Sequence, residues 1–370
     1  MSILLASAAS VFAYIGYILL ALAILLVMIT VHELGHYIAG KLLGFRINEF
    51  AIGFGPRLFK KVKKNGEIFS IRAFPLGGFC GFYGEEDDKD DAEAYLNQKP
   101  YKRIIVLVSG ALMNLILAFL VIALMFAAYG EQRVQVVKAA DGLPSEYVGY
   151  TLQDGDVIDK VNGRYIVFAN DLGAALKGKK KGDVVKVSVL RQGKYKTVKV
   201  KLTRDVTDKA NFNYGALGVA EDYDENGTLT LIHAKISKVR FGFFKVAGDC
   251  FIYHFKLASS IFQVLGSLLT GKLGITSLGG PITTVKQTAE IVKVGGFAGL
   301  LQITAFIGVN LGVFNLLPLP ALDGSHVVFT LIEWIRKKPV NRKAEAIIHL
   351  CGLIFLLGFA VLVDVLQFFV

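Results

Sequence analysis

The sequence predicts a polytopic α-helical membrane protein with about four transmembrane helices and an inserted β-rich domain. Three observations predict it. The 370 residues are 54% hydrophobic and only 19% charged, with a mean hydropathy of +0.52, whereas soluble domains carry about 25% charged residues. The apolar residues are gathered into long charge-free runs. Between the second and third runs lies a segment of alternating residues with glycine turns. The composition excludes a disordered chain, a collagen and a small disulfide-stapled domain. The three cysteines, Cys80, Cys250 and Cys351, form no CxxC pair, which speaks against a cysteine metal knuckle.

The runs come first in the argument. Residues 1–31 carry no ionisable side chain, and Phe12 to Thr30 is almost continuously apolar. Residues 104–130 and 294–322 are free of charge, and Ala346 to Val363 is interrupted only by His349. About 20 apolar residues span a bilayer as a helix, and buried core helices of that length normally keep a polar face. The first run has no basic n-region and passes directly into His32 and Glu33, unlike a signal peptide. Orientation follows from the basic residues. Lys41, Arg46, Arg57, Lys60, Lys61, Lys63 and Lys64 follow the first run, Lys102 and Arg103 precede the second, and Arg336 to Lys343 lie between the last two. The positive-inside rule places loops 44–103 and 325–343 in the cytoplasm, with both termini and residues 131 to about 293 outside. The net charge of +11 is then mostly a topology signal. The lysines at 177–181 lack the interleaved aromatics of a nucleic-acid surface, so the expected partner is a lipid bilayer and no nucleic acid.

Residues 131–203 read as a separate extracytoplasmic domain. Val184 to Val189 and Val198 to Leu202 alternate, with Gln192-Gly193 between them, a hairpin signal. The stretch with Gly142-Leu143, Gly155-Asp156-Val157-Ile158 and Val161-Asn162-Gly163 resembles a PDZ domain, a module that binds extended chains by strand addition. Residues 204–293 read as a linker with membrane-surface or re-entrant helices. Lys235 to Phe255 mixes lysines with phenylalanines, as a surface helix does, and the apolar stretch Leu257 to Gly271 is short for a span. Residues 1–130 would hold the first two membrane helices and residues 294–370 the last two.

The chemistry lies in the first run. His32-Glu33-Leu34-Gly35-His36 is an HExxH motif. Residues four apart share a helix face, so both imidazoles can reach one metal ion with the glutamate beside them. Ionisable groups inside a membrane helix are costly and usually functional. A catalytic zinc normally takes three protein ligands, so a third must come from elsewhere. Asp323 is the leading candidate, because Pro318 and Pro320 break the helix just before it and irregular backbone at membrane depth lines cavities. His326 is the rival third ligand. His349 reads as a hydrogen-bonded helix residue, and His233 and His254 fall on the opposite side of the membrane.

HELGH in a first apolar helix, with NLLPLPALDG at the end of a later one, resembles the site-2 protease family. More narrowly it is similar to the bacterial RseP-type zinc intramembrane metalloproteases that carry an inserted PDZ domain. Gly53-Phe54-Gly55-Pro56 and Phe74 to Phe79 match the family's cytoplasmic and membrane re-entrant β loop, Ser109 to Asn114 its second-helix start, and Gly279 to Ile282 the stretch before its third helix. The resemblance implies Zn2+ held by His32, His36 and Asp323, with Glu33 as catalytic base. It implies that Asn315, Pro318 and Pro320 shape the substrate-binding region, and that Gly77 and Gly78 sit in a loop that holds substrate as an added strand. The implied activity is hydrolysis of a peptide bond within or near the membrane of a single-pass protein already trimmed by another protease. An anti-sigma factor or a signal-peptide remnant would be such a substrate. The implied location is the inner or cytoplasmic membrane, with the active site towards the cytoplasm and the PDZ-like domain outside. The chain departs from the pattern in having room for one PDZ module where two are common. Two rivals remain: a non-proteolytic PDZ scaffold, which would need neither Glu33 nor Asp323, and a metal transporter using His32, His36 and Asp323 as a transit site.

Overall fold

The computed structural model describes residues 2–85, 91–206, 213–225, 228–275 and 278–367. The chain divides into two compact units, residues 1–125 with 247–370, and residues 126–246.

The first unit begins with α1 (Ser2–Leu42), followed by β1 (Ile47–Val62), β2 (Ile68–Phe82) and α2 (Pro100–Tyr129). β1 and β2 form an antiparallel pair that doubles back on itself. Glu49 faces both Ile68 and Gly81, and Ile52 faces both Ile71 and Gly78. Gly53 and Gly55, at φ 85° and 86°, permit the bend, since left-handed backbone is open to glycine at little cost. Glu49 is buried at the centre of this fold-back. Its carboxylate accepts hydrogen bonds from Arg57 Nη2 at 2.6 Å, Arg72 Nη2 at 2.9 Å and Ser70 Oγ at 2.6 Å. At the hairpin tip the buried Glu67 carboxylate pairs with Lys41 from α1 and with Lys63 at 2.6 Å, which ties the hairpin to the end of α1.

The second unit contains β3 (Glu131–Val136), β4 (Val157–Val161), β5 (Arg164–Tyr165), α3 (Ala169–Leu176), β6 (Val184–Arg191), β7 (Lys194–Lys201), α4 (Asn213–Ala216), β8 (Glu221–Tyr223), β9 (Leu229–Ile232) and β10 (Ala234–Val239). The main sheet runs β10-β3-β4-β6-β7, with β5 paired to β4. Val185, Val187 and Val189 point into one core with Leu172, Leu176 and Leu202, as period-two alternation requires. Gln192 and Gly193 both have positive φ, 50° and 74°, the geometry of a two-residue type I′ hairpin turn.

Residues 204–293 differ from the sequence reading. They supply strands β8 to β10, and β10 pairs with β3 along its length. These strands are too short to display a clear period. The chain then enters α5 (Phe243–Leu269). Lys245, Asp249 and Lys256 recur at helical spacing, so one continuous helix carries both the basic-aromatic stretch and the apolar stretch that the sequence suggested were separate pieces.

The rest of the first unit is α6 (Pro281–Leu316), α7 (Asp323–Arg336) and α8 (Arg342–Leu366). Among the described residues, four helices are long and apolar enough to cross a membrane: Tyr14–Leu42, Pro100–Tyr129, Pro281–Leu316 and Arg342–Leu366. Small residues bring three of them together. A Cβ on Gly35 of α1 would lie 2.3 Å from the Ser109 carbonyl oxygen on α2, and one on Gly312 of α6 would lie 2.7 Å from Leu115 on α2. Close backbone approach through small side chains is the usual packing mode where lipid removes the hydrophobic drive between helices. α6 starts with Pro281 at its first turn and bends at Gly296, where φ is 55°. The Asp364 carboxylate of α8 accepts from the Ile282 and Thr283 amides at 2.9 and 3.1 Å and so caps that start. Buried Arg103 of α2 pairs with Glu333 of α7, and Arg342 of α8 pairs with the same Glu333 at 3.0 Å. α7 is thereby fixed against both neighbours.

Burial raises the Glu67 carboxyl, but hydrogen bonds from Lys41, Lys63, Tyr37 and Asn65 outweigh it and hold the group at about 2. A carboxyl depressed by folding contributes stability above its ordinary value near 4.5 and loses it as pH falls towards 2. Thermal unfolding of the detergent-solubilised chain at about pH 6 and about pH 3 is therefore expected to drop further for the native sequence than for Glu67→Gln.

Candidate active site

His32 and His36 lie on one face of α1, one turn apart, and both are buried. His36 Nδ1 is 2.8 Å from the Val106 carbonyl of α2. A carbonyl can only accept, so Nδ1 carries the proton and Nε2 presents a lone pair. The two Nε2 atoms are 3.1 Å apart. This approach is possible because position 110 on α2 is glycine. A Cβ there would lie 2.4 Å from His36 Nε2 and 2.8 Å from His32 Cε1.

Asp323 arrives from the other end of the unit. α6 ends at Leu316, where Pro318 and Pro320 cannot continue it. Ala321 takes φ 73°, and α7 begins at Asp323. The next residue must be glycine, because a Cβ on Gly324 would lie 2.2 Å from the Leu317 carbonyl oxygen. The turn brings Asp323 Oδ2 to 2.9 Å from His32 Nε2 and 3.4 Å from His36 Nε2. Oδ2 is buried without a hydrogen-bond donor, and His36 Nε2 has no proton to offer it. Three electron-pair donors thus face one point. Their separations of 3.1, 2.9 and 3.4 Å suit the edges of a tetrahedron around a zinc-sized ion, about 3.3 Å for bonds of roughly 2.0–2.1 Å. The donor set fits a divalent transition metal.

Glu33 and Asp323 border two cavities. One of about 810 Å³ also touches His36, Cys80 and Arg103, and one of about 240 Å³ also touches His32, Asn114 and Asn315. Cys80 lines the larger cavity with Glu33 and a Cβ on Gly78 would lie 3.5 Å from Glu33 Cγ, so β2 runs beside the site. Of the other residues singled out in the sequence, Asn315 lines the smaller cavity. Gly78 approaches Glu33, its missing Cβ falling 3.5 Å from Glu33 Cγ, while Gly77 turns towards Phe54. Pro320 packs on Gly352 of α8 and Pro318 is exposed, so both act through the backbone break. His326 stands apart from the three-residue cluster, with Nδ1 3.5 Å from Glu345.

Sequence reasoning places Gly110 and Asn114 in the second-helix match but gives neither a role at the site. Asn114 is fully buried, and neither polar atom of its side chain has a hydrogen-bond partner. The signal was present: Asn114 is the single amide side chain in the charge-free run 104–130.

The sequence profile of peptidase family M50 matches residues 20–359. The chain belongs to peptidase family M50. A protein of Clostridium perfringens that carries the name of a zinc metalloprotease is 33% identical over 352 residues, covering 94% of this M50 chain and 97% of that protein. An Agrobacterium fabrum protein with the same kind of name is 28% identical over 363 residues, covering 94% of each chain. A solved PDZ domain of an SdrC-like protein from Listeria monocytogenes matches 29% of the chain and 87% of its own length at 23% identity, with a TM-score of 0.17. That score is too low to define the fold of the β-rich unit, which rests on its own strands.

Gly110→Ala sets a methyl group against both imidazoles. Such overpacking costs roughly 1–3 kcal/mol. Its thermal unfolding in detergent is expected to fall below that of Gly16→Ala, where a Cβ meets nothing within 4 Å.

Proposed function

We propose that this M50 peptidase is a zinc-dependent intramembrane protease of the site-2 type. The observation that carries the reading is the meeting of the HExxH face of α1 with Asp323 of α7, among helices long and apolar enough to cross a membrane. His32, His36 and Asp323 would hold the ion. Zinc bound there would make water acidic enough to yield a nucleophile near neutral pH and would polarise a peptide carbonyl.

The chain's own residues do the rest. Glu33 takes a proton from the attacking water onto its carboxylate and later delivers it to the leaving amine nitrogen. β2, with Cys80 on the same cavity wall, packs beside that carboxylate. Asn315, at the wall of the smaller cavity, donates its amide N–H to oxyanion charge developing on the substrate carbonyl. Ile29, Leu107, Leu311 and Leu350, from the four apolar helices, line the two cavities beside these groups.

The substrate is a single-pass membrane protein. A transmembrane helix keeps its carbonyls in internal bonds, so it must unwind before attack. The β2 segment Gly78 to Phe82 pairs with β1 on one side and runs beside Glu33, which suits it to receive an unwound chain as an added strand. The hairpin would then be re-entrant, and Gly78, where a Cβ would lie 2.9 Å from the Ala51 carbonyl oxygen, lets β2 lie close to β1 beside Glu33. The basic loops favour an orientation with the metal site towards the cytoplasm and residues 131–203 outside. In this reading the outer unit is a single PDZ-like module that screens substrates already trimmed by another protease, such as an anti-sigma factor or a signal-peptide remnant.

Glu33→Gln is expected to keep its zinc and to lose at least about 100-fold in cleavage of a reconstituted single-pass substrate. Metal analysis of the same sample checks the first half of that outcome. Undiminished cleavage would remove Glu33 from the mechanism. Function retained without cleavage would favour a scaffold or a transporter.

A further inference from the structure

The break between α6 and α7 has to aim Asp323, and it does so through a tight turn in which the Leu322 amide donates to the Leu319 carbonyl at 3.2 Å across Pro320 and Ala321. Ala321 holds φ 73° without being glycine, a conformation that L residues adopt only when their surroundings impose it. A second hold on this turn comes from α8. The Ala321 amide donates to His349 Nδ1 at 3.0 Å. One turn further along α8, Gly352 lets Pro320 come so close that a Cβ would lie 2.2 Å away. His349 and Gly352 therefore form one docking face for residues 320–321.

His349 is itself held from several sides. His326 of α7 stacks on its ring, with centroids 3.9 Å apart and an interplanar angle of 10°, and the Phe329 ring lies 5.5 Å away. Ser325 Oγ stands 3.5 Å from Nδ1 but gives its own proton to the Leu322 carbonyl at 2.7 Å. Glu345 Oε1 lies 4.0 Å from the buried Nε2. His326, Glu345 and His349 are near enough together to suggest a second metal site. The backbone bond argues otherwise. An amide N–H can only donate, so Nδ1 accepts and the proton of the neutral ring sits on Nε2. No lone pair on His349 is left for an ion.

We propose that His349 is a positioning residue for Asp323: by accepting the Ala321 amide it fixes the left-handed turn that directs the Asp323 carboxylate at His32 and His36. The proposal rests on Asp323 being a zinc ligand. It assigns to the last apolar helix, which supplies no ligand, control over the geometry of the metal site. Residues that orient a ligand typically change metal affinity about 10- to 100-fold when removed.

The test measures zinc affinity of the full-length chain in detergent by competition with a chelator. His349→Ala is expected to bind zinc about 10- to 100-fold more weakly than the native sequence. His349→Asn places an amide oxygen near the position of Nδ1, where it accepts the same N–H, and is expected to restore most of the affinity. Native affinity in His349→Ala overturns the proposal. So does an Asn variant as weak as the Ala variant, because ring stacking or Nε2 would then be what counts. Asp323→Asn, measured alongside, separates the two levels. If that change leaves zinc binding intact, the ligand assignment fails and the positioning role with it. If it abolishes binding while His349→Ala does not weaken it, only the positioning role fails.

Discussion

The convergence of two imidazole nitrogens and one carboxylate oxygen within apolar helices is the constraint on which the rest of this structure depends. Polar and ionisable groups at membrane depth are costly unless something answers them. Here the answer is mutual, since the lone pairs meet at one point and a divalent cation placed there satisfies all three. The consequence for packing is severe. Two histidines a turn apart on α1 need a neighbouring helix that offers a carbonyl on one side and empty space on the other. α2 meets both demands with the Val106 carbonyl and with Gly110.

The carboxylate imposes a second demand. Asp323 cannot reach the histidines from inside a regular span, so the chain must stop, turn and restart. Pro318 and Pro320 stop it, Ala321 turns it and Gly324 restarts it. None of these features would hold without support. Glu333 joins α7 to Arg103 of α2 and Arg342 of α8, and α8 receives the turn through His349 and Gly352. The hairpin β1–β2 completes the surroundings by bringing Gly78 and Cys80 beside Glu33.

What the sequence disclosed and what it withheld follow from range. HExxH is legible because the helical repeat alone brings residues four apart together. The apolar runs are legible because a bilayer requires length. Asp323 stands out as an acid at the end of a charge-free run and is preferred to His326, but the sequence does not show that the turn at Ala321 is held both by its own Leu322–Leu319 bond and by His349 of another helix. Gly110 carries no local signal of its role, and Asn114 only that of a lone amide in an apolar run, because their meaning lies in how α2 faces α1. The fold-back of β1 and β2 was hidden for a related reason: Gly53 and Gly55 announce a bend, but only the Glu49 cluster determines which residues pair. Strands β8 to β10 are too short for a period to emerge, and β10 gains its identity from pairing with β3.

The central claim is that one ion joins α1 to α7. Zinc X-ray absorption on the full-length chain tests it most directly. One zinc per chain is expected, with only nitrogen and oxygen neighbours at roughly 2.0–2.1 Å, two of them imidazoles, and with that ion lost in His36→Ala. A sulfur neighbour near about 2.3 Å, or undiminished zinc in His36→Ala, would contradict it.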